Sequence, residues 1–336
     1  MQKKISTQNN KLPNSLPRVC FILPYFGKWP VWTPLFLESC SQNKGFTWLL
    51  FGNQKGLKNT PTNVKWQKMT LKEFNKLAKY ETKLPFEIRT PYKVCDAKPM
   101  YGDIFKKYLA KYQFWGYTDL DIIYGDLNSF SVRKKLLKYD IYFPYNTPVG
   151  HFTIFKNTPK INSLYHNFPS LKLAYTHSPN PLSFDEKKLE LLLKNNHDIK
   201  FHRSFDYHAE LSKTRCSTGA SIMHCGQLIR ENLTARERYL YSRGKTFQLN
   251  GSRKREFMYF HFFTWKNDKF WRRFKKNRKL PYEFWMDESG FLDNAKDLLQ
   301  TNYKARILKM LKCAGKLSLR GLKYYYSTQN LKRRII

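Results

Sequence analysis

One stretch restricts the folds open to this chain more than any other: Phe114-Trp-Gly-Tyr-Thr-Asp-Leu-Asp-Ile-Ile-Tyr-Gly-Asp126. Phe114, Trp115, Tyr117, Leu120, Ile122 and Ile123 form an apolar run of strand character, punctuated by Gly116 and Gly125. Asp119 and Asp121 stand two residues apart, so on an extended backbone both would point to one face. Two carboxylates inside an apolar strand are costly unless something positive lies between them. A divalent cation answers that need, because hard oxygen ligands suit magnesium or manganese. The competing reading is a strand that runs into a turn, its aspartates capping backbone amides, since Asp-x-Asp alone is a common pattern.

The flanking sequence supplies a sheet for this strand to join. Arg18 to Pro24 reads as a buried first strand, and Pro34 opens a helix through Ser41. Phe46 to Phe51 and Val64 to Met69 read as further strands, and Thr70-x-x-Glu73 is a capping box that starts a helix. This order predicts an α/β sheet with nucleotide-binding character. Neither G-x-G-x-x-G nor G-x-x-x-x-G-K-[ST] occurs, which disfavours dehydrogenases and P-loop enzymes. Beyond the central stretch, a helix is expected over 103–112, strands over 140–145 and 151–155, a helix from Pro181 to about Asn195, and short strands at 197–202 and 220–224. Glu256 to Trp265 reads as one intensely aromatic strand whose only titratable interior member is His261.

A length of 336 residues is ample for a well-filled core, and 17% aromatic residues argue for a folded chain. The formal net charge of +36 favours polyanionic partners: phosphorylated substrates, anionic lipid or nucleic acid. The six cysteines include no C-x-x-C pair, which favours reduced thiols in a cytoplasmic protein. No signal peptide is expected in the polar segment 1–17, and the apolar run from Val19 is too broken by prolines to span a bilayer.

Four segments together resemble bacterial polysaccharide-biosynthesis glycosyltransferases of the GT-A type with an Asp-x-Asp motif. They are Ile22-Leu-Pro-Tyr-Phe-Gly-Lys28, Tyr92-Lys-Val-Cys-Asp-Ala-Lys-Pro99, the strand from Phe114 to Asp121, and Tyr259-Phe-His261. The resemblance covers roughly Arg18 to Trp265. It implies a GT-A-like, Rossmann-type nucleotide-sugar-binding sheet flanked by helices over 18–267. A polar tail would precede it (1–17), and a basic, largely helical extension would follow (268–336). It also implies a hexosyltransferase-type enzyme that uses Mn2+ or Mg2+ and a nucleotide-sugar donor, UDP-linked, whose leaving diphosphate the metal would neutralise. Asp121 would bind that metal directly, Asp119 would contact metal or ribose, and His261 would be the third protein ligand; the alternative for His261 is an imidazole packed among aromatics.

Lys93, Asp96 and Lys98 would lie near ribose and phosphate, or else pair their own charges in a loop. Tyr25 and Phe26 would flank the base, or else be plain core. Asp185 and Glu186 are the acceptor-side carboxylates from which an inverting transferase would draw its general base. Ser183-x-x-Glu186 is also a capping box, so Asp185 is preferred, while His151, Asp126 and Asp206 are further candidates.

The acceptor would be a glycan or lipid-linked glycan of a surface polysaccharide or lipopolysaccharide. The location would be cytoplasmic, peripheral on the inner face of the membrane. The tail from about Asp268, where Lys and Arg interleave with Trp271, Phe274 and Tyr324 to Tyr326, suits an anionic membrane surface. Two other classes stay open: a sugar-phosphate or nucleotidyl transferase with the same carboxylates, and a basic nucleic-acid-binding protein, against which no nucleic-acid motif occurs.

Overall fold

The computed structural model describes residues 16–57, 59–145, 147–176, 180–202, 208–210, 238–250, 253–262, 283–287 and 290–292. The fold is mixed α/β, with a large, mostly parallel central sheet flanked by helices. The chain divides into two compact units, each assembled from separated segments: residues 1–27, 44–119 and 128–205, and residues 28–43, 120–127 and 206–336.

The first unit holds the central sheet. Its strands are Val19–Pro24 (β1), Phe46–Gly52 (β2), Val64–Lys68 (β3) and Phe114–Thr118 (β4), then Ile141–Tyr142, Phe152–Lys156 and Phe201–His202, which are β6, β7 and β8 because Ile122–Tyr124 (β5) belongs to the second unit. The spatial order is β3-β2-β1-β4-β7-β6-β8. β1 runs parallel to β2 and β4, whereas β7 is antiparallel to both β4 and β6. β1 and β4 are apolar along almost their whole length, as a sheet covered on both faces requires. On one side Cys20 and Ile22 join a core with Phe74, Ala78, Met100, Ile104 and Phe105. Each large apolar side chain buried there contributes about 1.5–3 kcal/mol. Gly116 lets β7 approach, since a Cβ there would lie 2.6 Å from the Thr153 carbonyl oxygen.

The helix Leu71–Thr82 begins with the expected capping box: Thr70 and Glu73 exchange side-chain and backbone bonds in both directions. In place of the single helix expected over 103–112, two short helices, Tyr101–Ile104 and Lys106–Leu109, follow a 3-10 segment, Pro91–Met100. Strand order reverses at β1: β2 and β3 lie to one side and β4 to the other. Ligands of open α/β sheets bind outside the carboxyl ends of the strands at such a reversal. Tyr25 leaves β1 there and Asp119 leaves β4 there, while Gly150 and His151 lead into the neighbouring β7, where Phe152 faces Thr118.

Among its described residues the second unit contains two sheets. One is antiparallel and links Arg238–Ser242 (β10), Lys245–Asn250 (β11), Arg253–Phe257 (β12), Glu283–Asp287 (β14) and Gly290–Leu292 (β15). The other runs β5, then Tyr259–His261 (β13), then His208–Glu210 (β9). Their shared core includes Ile123, Tyr239, Tyr241, Phe257, Phe260, Phe284 and Met286. Two expectations change here. The aromatic run read as one strand is two, parted at Met258 and placed in different sheets. Within the extension expected to be largely helical, residues 283–287 and 290–292 are strands paired to one another and to β10, because Phe284, Met286 and Phe291 alternate inward. The expected strand at 220–224, the candidate Asp206 and the basic stretch beyond 292 lie outside the described residues. No helix among the described residues is long and apolar enough to cross a membrane.

Candidate metal centre and active site

The Asp-x-Asp pair does not sit on one strand. β4 ends at Thr118, Asp119 is irregular, Leu120 and Asp121 turn, and the chain re-enters an extended conformation as β5 in another sheet. The shared-face expectation from two-residue spacing therefore fails, and the turn takes over the task of gathering the carboxylates. β13 completes the arrangement by pairing antiparallel to β5 with His261 opposite Ile122, the neighbour of Asp121. The Phe262 N–H donates to the Asp121 carbonyl at 3.1 Å and fixes this register.

His261 Nε2 consequently stands 3.5 Å from Asp121 Oδ2. One ligand atom each from Asp119, Asp121 and His261 all lie within 4.8 Å of one another. Asp121 and His261 are 4% and 6% exposed, while the Asp119 side chain is 37% exposed. The spacing of 3.5 Å is longer than an N–H···O bond and near the separation of two adjacent ligands on one ion, about 3 Å for bonds near 2.1 Å. Two carboxylate oxygens and an imidazole nitrogen are a donor set that could hold a divalent metal.

Beside Asp119 lies a buried lysine. Lys98 Nζ donates to Asp119 Oδ1 at 2.8 Å and to the Gly150 carbonyl at 2.7 Å, and it stands 3.4 Å from Asp185 Oδ2. Its three N–H donors thus already face three acceptors, which does not match the expected phosphate contact. Burial opposes the ammonium charge, but the carboxylates of Asp119 and Asp185 outweigh it and hold the Lys98 pKa well above the ordinary value. Burial pushes the Asp185 pKa up to about 7 in spite of Lys98, with Glu186 and Asp119 adding to the rise.

Ser183 adopts a left-handed conformation with φ 56° and makes no side-chain cap, so the capping box expected at Ser183 and Glu186 is absent. Glu186 is recruited elsewhere: its Oε1 accepts the Gly150 N–H at 3.2 Å. A Cβ on Gly150 would come within 2.5 Å of Asp185 Oδ2 and 3.2 Å of Glu186 Oε1. Both acidic residues thus converge on one glycine, through a π-helical turn at Phe184–Lys188 that an ordinary helix would not offer to adjacent residues.

Lys93 and Asp96 serve the fold. Both side chains are 0% exposed and 2.6 Å apart. Asp96 also accepts from the backbone N–H groups of Leu182 and Phe184, and Lys93 donates to the Leu173 carbonyl. This pair clasps the segment that carries Asp185 and presents no open carboxylate to ribose. Phe26 is core, packed edge-on against Phe74 with centroids 6.0 Å apart. Tyr25 is half-buried at the end of β1, tied to β2 through its N–H and the Phe51 carbonyl.

Gly150 was not among the expected site residues. Its sole sequence signal is a glycine between two strand candidates, and its two backbone contacts join residues 52 and 36 positions away.

Residues 21–295 match the model of a family described as a family of unknown function (DUF6625). No curated protein matches the chain.

Proposed function

The chain belongs to the DUF6625 family, and we propose that it is a metal-dependent glycosyltransferase of GT-A type that moves a sugar from a nucleotide-sugar donor to a glycan or lipid-linked glycan. One observation carries the reading: Asp119, Asp121 and His261 converge within 4.8 Å just past the carboxyl end of β4. That is the position where an open α/β sheet receives a nucleotide.

Asp119, Asp121 and His261 would hold Mn2+ or Mg2+, which when bound would supply positive charge to the diphosphate leaving group. The chain's own residues do the rest. Tyr25, half-buried at the end of β1, would border the donor's base. Asp185 accepts the proton of the acceptor hydroxyl; a carboxyl that titrates near 7 is half ionised at neutral pH and basic enough to take a proton in the transition state. Tyr117 donates to the Asp185 backbone carbonyl at 2.9 Å, and the Lys93–Asp96 clasp fixes the preceding residues, so the carboxyl is held before substrate arrives. The net charge of +36 suits an anionic donor and work at the inner face of a membrane.

The test is a screen of nucleotide sugars for diphosphate release with Mn2+ and with chelator, using Asp121→Asn as control. Release that needs both Mn2+ and Asp121 supports the proposal. Products carrying a transferred sugar phosphate or nucleotidyl group would replace it with another transferase class.

A further inference from the structure

We propose that Lys98 is the resident counter-ion of this site: it holds Asp119 and Asp185 together in the metal-free protein and competes with the incoming divalent cation for Asp119. The inference rests on the metal reading of the Asp119, Asp121 and His261 cluster.

Lys98 reaches the site from the 3-10 segment Pro91–Met100, and only 9% of its side chain is exposed. Its ammonium lies between two carboxylates of different use, 2.8 Å from Asp119 and 3.4 Å from Asp185. The Gly150 carbonyl, at 2.7 Å, takes the remaining donor and sets the height of the ammonium. The Tyr117 ring, with its centroid 5.6 Å from Nζ, adds an electron-rich face. Asp119 is the one residue common to this triad and to the metal cluster.

Without a metal, carboxylates gathered this closely repel one another, and a lysine between them removes that cost. With a metal on Asp119, the lysine and the ion are two cations on one carboxylate a few ångströms apart, and their repulsion lowers metal affinity. The arrangement keeps the acids in place before loading and makes the ion easier to release with the leaving diphosphate. It also couples Asp185 to the metal without ligation, because Asp185 draws off part of the Lys98 charge.

The test is Mn2+ binding, followed by electron paramagnetic resonance, for the purified chain and its variants without donor or acceptor. Lys98→Met should bind Mn2+ about ten- to hundredfold more tightly than the parent chain, an effect opposite in sign to that of a damaged site. Lys98→Arg should restore affinity close to the parent value. Asp185→Asn, nearly isosteric, leaves Lys98 less neutralised and should weaken binding about tenfold although Asp185 is no ligand; it is the informative variant if Lys98→Met does not fold. Unchanged or weaker binding in a folded Lys98→Met, or unchanged or tighter binding in Asp185→Asn, overturns the proposal. So does an absence of Mn2+ binding in every variant, which would also remove the metal reading. Failure of the nucleotide-sugar screen alone would leave the competition measurable and refute only the transfer chemistry.

Discussion

Replacing Asp96 by Asn separates a clasp from a ligand site. Asp96 Oδ2 accepts from Lys93 Nζ at 2.6 Å and from the Leu182 N–H at 2.8 Å, and Oδ1 faces the Leu182 and Phe184 N–H groups at 3.0 and 3.2 Å. Asparagine keeps one acceptor oxygen but leaves the Lys93 ammonium, 0% exposed, without its counter-charge. Breaking one partner out of a buried ion pair costs about 3–5 kcal/mol. An orphaned backbone N–H would add about 1–3 kcal/mol, partly spared because the amide oxygen can still accept one bond. A loss of about 3–5 kcal/mol is a large share of the roughly 5–15 kcal/mol that holds a domain folded. It should lower the melting temperature by roughly 6–20 °C for a domain of this size. Thermal and urea unfolding give that number, and calorimetry with a nucleoside diphosphate and Mn2+ gives the second. Lys93→Met combined with Asp96→Asn should recover part of the loss, since the stranded charge is gone. An Asp96→Asn protein of unchanged stability that has lost nucleotide binding would refute the clasp and return Asp96 to the donor site.

The Asp185 pKa is raised, so folding favours its neutral form; its contribution to stability is full below about 3.8 and is lost as pH rises through about 7. Transfer activity should run the opposite way, rising as pH passes about 7, and Asp185→Asn should abolish that limb in a pH–rate profile. Thr70→Ala removes the cap on the Glu73 N–H and half of the reciprocal box, so urea unfolding should report a loss of about 1 kcal/mol with activity unchanged.

Local signals carried a good part of the fold. β1, β2, β3 and the Thr70 cap lie where apolar runs and capping chemistry place them, because each is decided within a few residues. Signals that depend on distant partners failed. Hydropathy cannot tell one long strand from two that enter different sheets, since both are buried; hence the breaks at Asp119 to Asp121 and at Met258 were missed. Ser183 and Glu186 have capping-box spacing, but the Gly150 N–H, far along the chain, takes the Glu186 carboxylate.

The candidate site divides in the same way. Asp119, Asp121 and His261 come together as expected, although a turn and a strand pairing, and not a shared strand face, assemble them. Lys93, Asp96 and Lys98 read alike as charged residues in one segment. Only burial and partners separate a folding clasp from a residue that touches the metal cluster.

The most direct measurement is an anomalous difference map from crystals holding Mn2+ and a nucleoside diphosphate. The proposed metal centre requires one ion bound by the carboxylates of Asp119 and Asp121 and by the His261 imidazole, at about 2.0–2.3 Å. The diphosphate should lie on its open side and the base beside Tyr25. An ion seated elsewhere, or a nucleotide bound away from the carboxyl ends of β1 and β4, would contradict it.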